Sequence, residues 1–220
     1  MLTAVISAVA TSSCATSSSL QSPVVPRIRW VFDDIHSIGG ASVGLLGSPV
    51  VRHNGKFAAL KFDGVRDGLI LPYDPLQGLH RFTIEILFRP DLEGPPEQRF
   101  FHTEDKTGRR VLVELRLADG RWCLDTFLRD SLTQYRTLID RTKTHAAGQW
   151  YWIALVYDGS AMAHYVSGVK ELDGPVQFSP MSEGETSVGV RLNRVSWFKG
   201  EIREARIYDR ALEPDQLSRE

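Results

Sequence analysis

Alternation of apolar and polar positions recurs along most of the chain, with the two-residue period of strands that lay one face on a core. From Arg27 onward, Ile28, Trp30 and Phe32 alternate with Arg29 and Val31 up to Asp33-Asp34. Gly39-Gly40, Gly44 and Gly47 break a weaker pattern before Pro49. Strands are then predicted from Ala58 to Phe62, closed by Asp63-Gly64, and from Leu69 to Leu71, closed by Pro72. In Phe82 to Phe88 (FTIEILF), Phe82, Ile84, Ile86 and Phe88 share one face, and Arg89-Pro90-Asp91 ends the run. A strand near Arg99 to His102 leads through a polar turn to Arg109–Leu117, where Val111, Val113, Leu115 and Leu117 oppose Arg110, Leu112, Glu114 and Arg116. Asp119-Gly120 predicts a hairpin into Arg121 to Leu128. Further strands follow at Tyr135 to Ile139, Gln149 to Tyr157 and Met162 to Val166. Gln149 to Tyr157 is apolar on both faces, which predicts a central strand with Trp150 and Trp152 in the core. The final run, 187–217, carries Val188 and Val190, a polar turn at Arg191, Asn193 and Arg194, and a long strand from Trp197 to Tyr208. Glu213-Pro214-Asp215 then predicts a short C-terminal helical turn. Many short strands, close turn signals and no amphipathic helix before the C-terminus predict an all-β, two-sheet antiparallel sandwich of jelly-roll type.

A length of 220 residues suits one such sandwich, and 42% hydrophobic with 24% charged residues matches a globular core with a polar surface. A net charge of −1 gives no electrostatic argument for nucleic acid. No apolar run is long enough for a transmembrane helix, so membrane insertion is not expected. Residues 1–22 differ from the rest: MLTAVISAVA is apolar, and Thr11 to Ser22 is almost wholly Ser, Thr and Ala. They read as a signal peptide and Ser-rich spacer ahead of one domain at 27–220, which predicts a secreted, periplasmic or cell-surface protein. Cys14 lacks the preceding leucine of a lipidation site, and Cys14 with Cys123 makes neither a disulfide framework nor a metal cluster.

Four segments in order, ALKFDGVRDGLILP (59–72), FTIEILFRP (82–90), QWYWIALVYDG with YVSGV (149–169) and WFKGEIREARIYDRALEPDQL (197–217), carry a resemblance to the laminin-G / concanavalin A-like lectin–glucanase superfamily. The resemblance implies the jelly roll, a surface that hosts lectins, adhesion modules or catalytic domains, and often a structural calcium. Asp33, Asp34, Asp63 and Glu204 are the candidate calcium ligands, but Arg203 stands where an acid is common, and a guanidinium cannot ligate a hard cation. No cofactor is therefore expected. Glucanases of the superfamily use closely spaced carboxylates on one strand, a Glu-x-Asp-x-x-Glu pattern that this chain lacks; Glu201 and Glu204 are expected on opposite faces. Lyases on related scaffolds need an Arg to neutralise a uronate and a His or Tyr to move the proton, a role that His102, Arg110, Glu114 and Arg116 could fill. The six histidines show no metal spacing, and no Gly-x-Ser-x-Gly or phosphate-binding glycine loop is present. For sugar binding, Trp122, Tyr135 and Trp197 are candidate aromatic platforms, with Arg191, Asn193 and Arg194 for hydroxyls. The first expectation is an exported, non-catalytic carbohydrate-binding or adhesion module with a polysaccharide or glycan partner. The alternatives are a polysaccharide-degrading enzyme, lyase before hydrolase, and a structural accessory domain.

Overall fold

The computed structural model describes residues 24–219, so the leader expected at 1–22, with Cys14, lies outside the described residues. The strands are β1 (Ile28–Val31), β2 (Ser37–Ile38), β3 (Ala41–Ser42), β4 (Gly44–Leu46), β5 (Val50–Asn54), β6 (Phe57–Asp63), β7 (Gly68–Leu71), β8 (Phe82–Pro90) and β9 (Glu97–Asp105). They continue with β10 (Arg110–Ala118), β11 (Arg121–Arg129), β12 (Tyr135–Ile139), β13 (His145–Ala146), β14 (Tyr151–Tyr157), β15 (Ala161–Val166), β16 (Val169–Pro175), β17 (Gly184–Val188) and β18 (Lys199–Tyr208). One sheet runs β16-β15-β14-β8-β18-β6-β5, with β1 also on β18; the other runs β12-β11-β10-β9-β17-β7-β4, with β13 on β11. The expected two-sheet antiparallel sandwich is therefore present. In place of the expected C-terminal helical turn there is one hydrogen-bonded turn, Gln216 N–H to Glu213 O, because a single bond does not propagate a helix.

The ends of the domain meet on β18, where Ile28 to Val31 pair with Ile207 to Glu204. The predicted inward residues of β8, β10 and β18 form the core. There Phe88 stacks on Phe100 at 4.5 Å between ring centroids and meets the edge of Trp122 at 5.0 Å. Asp119-Gly120 turns β10 into β11 with φ of 51° and 67°, the left-handed pair that suits a tight hairpin. A bulge between Ile202 and Glu204 makes Arg203 an extra residue on β18. The register then sets Glu201 opposite Arg89 and Glu204 opposite Leu87, so both carboxylates point outward, contrary to the strict alternation expected for them.

Candidate functional site

Strands β9 and β10 pair so that Arg110 lies opposite Glu104 and Leu112 opposite His102. On the other side of β9, β17 sets Glu185 opposite Glu104 and Ser187 opposite His102. A left-handed turn after β17, with Arg194 at φ 60° and Ser196 at φ 57°, folds residues 191–196 back over β9. Arg99 N–H bonds Ser196 O at 2.9 Å, and Leu192 N–H donates to His102 Nδ1 at 3.1 Å. Between this loop, the strand ends and the Pro72–Tyr73 segment opens a cleft of about 1110 Å³. Its walls include Tyr73, Gln77, His102, Glu104, Arg110, Glu185, Arg191 and Asn193.

The chemistry of these walls is largely set by existing partners. His102 is 1% exposed. Because Nδ1 accepts the Leu192 N–H, the proton of the neutral ring sits on Nε2, 3.3 Å from Glu104 Oε2. Burial lowers its pKa, with Arg191 and Arg110 adding to the effect against the pull of Glu104, so the ring is neutral near pH 7. Burial raises the Glu104 carboxyl, but His102, Arg110 and Arg129 outweigh that and hold it below its ordinary value. Asp105 also resists its burial: Ser182, Thr107 and Arg109 donate to it and bring it down to about 2. Tyr73 Oη accepts the Trp30 Nε1–H at 2.9 Å, and burial raises the phenol further from use as a base.

Of the four residues read as a lyase set, His102 and Arg110 reach the cleft, whereas Glu114 and Arg116 do not line it. The latter two face outward on β10 in a buried ionic cluster: Arg99 Nε lies 3.0 Å from Glu114, and Arg116 bridges Asp125 and Glu97. Glu114 and Asp125 are directly opposed across β10 and β11, a carboxylate pair invisible to a search along one strand. Burial raises both carboxyls against the lowering effect of the neighbouring guanidiniums, which neutralise the pair.

Of the binding candidates, Arg191 and Asn193 line the cleft and Arg194 stands exposed just beyond them. Trp197 is half-buried at the foot of the loop. Trp122 is 0% exposed, packed against Phe88, His145 and Tyr151, so its ring faces belong to the core and offer no sugar platform. Tyr135 is exposed on edge strand β12, against Phe127 and away from the cleft. Trp152 is buried as expected; Trp150 instead is 37% exposed beside Arg89, because it precedes β14 and escapes the sheet's cover.

The four calcium candidates do not converge, and no group of three or more His, Cys, Asp or Glu able to hold a metal occurs among the described residues. Asp34 caps His36 N–H, and Asp63 Oδ1 accepts the amides of Val65, Arg66 and Asp67. Asp33 is exposed, and Glu204 is held by Arg29 and Arg206. Arg203 lies over the Phe57 ring at 3.6 Å.

Sequence reading missed Tyr73, Gln77, Glu104 and Glu185 as cleft residues. They sit on three separated segments with no motif spacing, and only the β7–β17–β9 pairing gathers them.

A family profile described as the concanavalin A-like lectin/glucanases superfamily matches residues 63–218. Comparison with curated proteins returned no match. Among solved structures, domain 4 of AbnA, a GH43 extracellular arabinanase from Geobacillus stearothermophilus in complex with arabinotriose, is similar at TM-score 0.66 and 21% identity, over 89% of this chain and 97% of that one. The botulinum neurotoxin serotype D binding domain matches at TM-score 0.63 and 12% identity, over 87% of this chain and 50% of that one. The binding domain of botulinum neurotoxin DC in complex with SialylT matches at TM-score 0.62 and 11% identity, over 86% of this chain and 49% of that one. At such identities the likeness is one of fold.

Proposed function

The chain belongs to the concanavalin A-like lectin/glucanases superfamily, and we propose that it is an exported, non-catalytic carbohydrate-binding module that holds an oligosaccharide in the cleft between β9, β10, β17 and the 191–196 loop. The observation that carries this reading is the state of His102. Its one lone pair is taken by the Leu192 amide and its Nε2–H faces Glu104, so the only histidine that lines the cleft among the described residues is a fixed structural group and not a free base. What remains around it suits hydroxyl recognition: the Gln77 and Asn193 amides, the Arg110 and Arg191 guanidiniums, and the Tyr73 ring. Neighbours of the same fold solved in complex with arabinotriose or SialylT support a glycan as the ligand class. An extracellular arabinanase domain among them supports export. Binding needs no calcium on this reading, since the carboxylates nearest the family's metal position are engaged by guanidiniums and turn amides.

A glycan array probed with the full chain tests the proposal. Bound glycans are expected, with the signal retained in EDTA and lost in Arg191→Ala; an array without hits, or full binding by Arg191→Ala, rejects this site.

A further inference from the structure

The cleft contains a cation that the described residues answer only in part. Arg110 is largely buried, its side chain 13% exposed, yet its guanidinium makes no hydrogen bond among the described residues. Its nearest carboxylate oxygen, Glu104 Oε1, is 3.6 Å from Nη2, within ion-pair range but beyond a hydrogen bond, and Nε is buried without a partner among the described residues. Burying a guanidinium in this condition is costly, and native structures rarely leave such a group bare. Arg191 faces the same cleft with no partner for its guanidinium among the described residues, close enough that its charge acts on Arg110 and on His102. Glu104 does not balance these two, because it is shared with Arg129 at 3.9 Å and with His102.

Apart from Glu185, the other charges of the wall are accounted for. Lys106 is paired with Glu183 at 2.5 Å, and Asp105 is filled by backbone and hydroxyl donors. Glu185, opposite Glu104 on β17, is a carboxylate without an ion-pair partner among the described residues. It disfavours an anion over β17 and leaves the β10 side, under the 191–193 loop, as the position where negative charge is welcome.

Resting on the glycan reading above, we propose that the ligand is an acidic saccharide whose sugar carboxylate is gripped by Arg110 and Arg191. A carboxylate matches the fork of a guanidinium with two parallel hydrogen bonds, which a hydroxyl cannot supply, and two such forks line this one cleft, near enough for their charges to interact. The hydroxyls of the same sugar fall to Gln77, Asn193 and Glu185. The two arginines thus determine specificity, and the remaining walls hold any saccharide weakly.

Titration calorimetry of the full chain tests this with oligosaccharides ending in glucuronic acid or in N-acetylneuraminic acid, each beside its carboxyl-reduced counterpart. At least one acidic form is expected to bind tenfold or more tightly than its reduced partner, with the difference abolished in Arg110→Gln and in Arg191→Ala. Arg191 lies on a surface loop, so its variant carries the test even if Arg110→Gln folds poorly. Equal binding of acidic and reduced forms overturns the carboxylate site and leaves the glycan reading standing; absence of binding by every form, neutral ones included, overturns both. Competition by inorganic sulfate or phosphate at the concentration of the sugar also overturns it, because the site would then take any anion.

Discussion

Asp74, next to Tyr73 of the cleft wall, is a carboxylate placed where it is better off protonated. Its Oδ1 accepts the Leu76 amide and the Thr103 hydroxyl, while Oδ2 is buried with no partner among the described residues. Burial, with a smaller push from Asp105, raises it to about 6 from an ordinary 3.8. A carboxyl raised on folding stabilises the fold when protonated and loses that contribution as pH rises from the unfolded value through the folded one. Between pH 4 and 6 the native state holds the extra proton, and at pH 7 the charged group costs on the order of 2–3 kcal/mol. Asp74→Asn keeps the Oδ1 acceptor and removes the charge. It is expected to raise Tm by about 5 °C at pH 7 and to leave it unchanged at pH 4, as scanning calorimetry at the two values will show. A gain of equal size at both pH values would mean that charge is not the cause. His164 has the opposite sign. Burial lowers it to about 4, so its contribution is present above the ordinary 6.5 and is lost as pH falls through 4.

At the scale of elements, β8 and β18 do more than close the core. Glu85 interrupts an apolar strand and from the sequence alone has no evident purpose; in the fold it is 1% exposed on the outer face. There it accepts the Tyr208 hydroxyl at 3.0 Å and the Ser218 amide at 2.6 Å, which ties the C-terminal segment across the sheet. Burial, then the Glu85 charge, moves the Tyr208 phenol up to about 12. Leu212 and Leu217 complete the seal over Ala154, Val156 and Tyr165. Glu85→Ala strands these donors and is expected to destabilise the fold by about 2 kcal/mol and to speed amide exchange in residues 211–219. Unchanged exchange there would remove Glu85 as the anchor. Strong alternation made β8, β10 and β18 legible in the sequence, and Asp119-Gly120, both residues at positive φ, marked the β10–β11 hairpin correctly. β5 and β16 were not legible. They are edge strands, at opposite ends of the first sheet, and their residues are mostly exposed or half-buried, so no apolar face is repeated along them.

On the scale of the whole molecule, the sandwich sorts charge into three separate groups, two of which come from one continuous strand, β10. Arg110, Glu114 and Arg116 share one face of β10, as their spacing requires. Yet the first lines an open cleft and the other two are sealed with Arg99 and Asp125. A third group, Arg29, Glu204 and Arg206, lies on the opposite sheet. Strand period alone reveals the shared face; partner strands and a returning loop decide which part of it is open. For that reason Arg191 and Asn193 could be picked from a polar turn, while Gln77 and Glu185 could not. NMR of the isotopically labelled chain, titrated with an oligosaccharide found on the array, tests binding in this cleft most directly. Amide shifts are predicted to cluster at residues 102–110, 184–185 and 191–194 while the sugar signals broaden or shift without new species. Shifts centred on exposed Trp150 and Phe57 instead, or the vinyl signal of an unsaturated sugar product, would contradict a non-catalytic glycan site here.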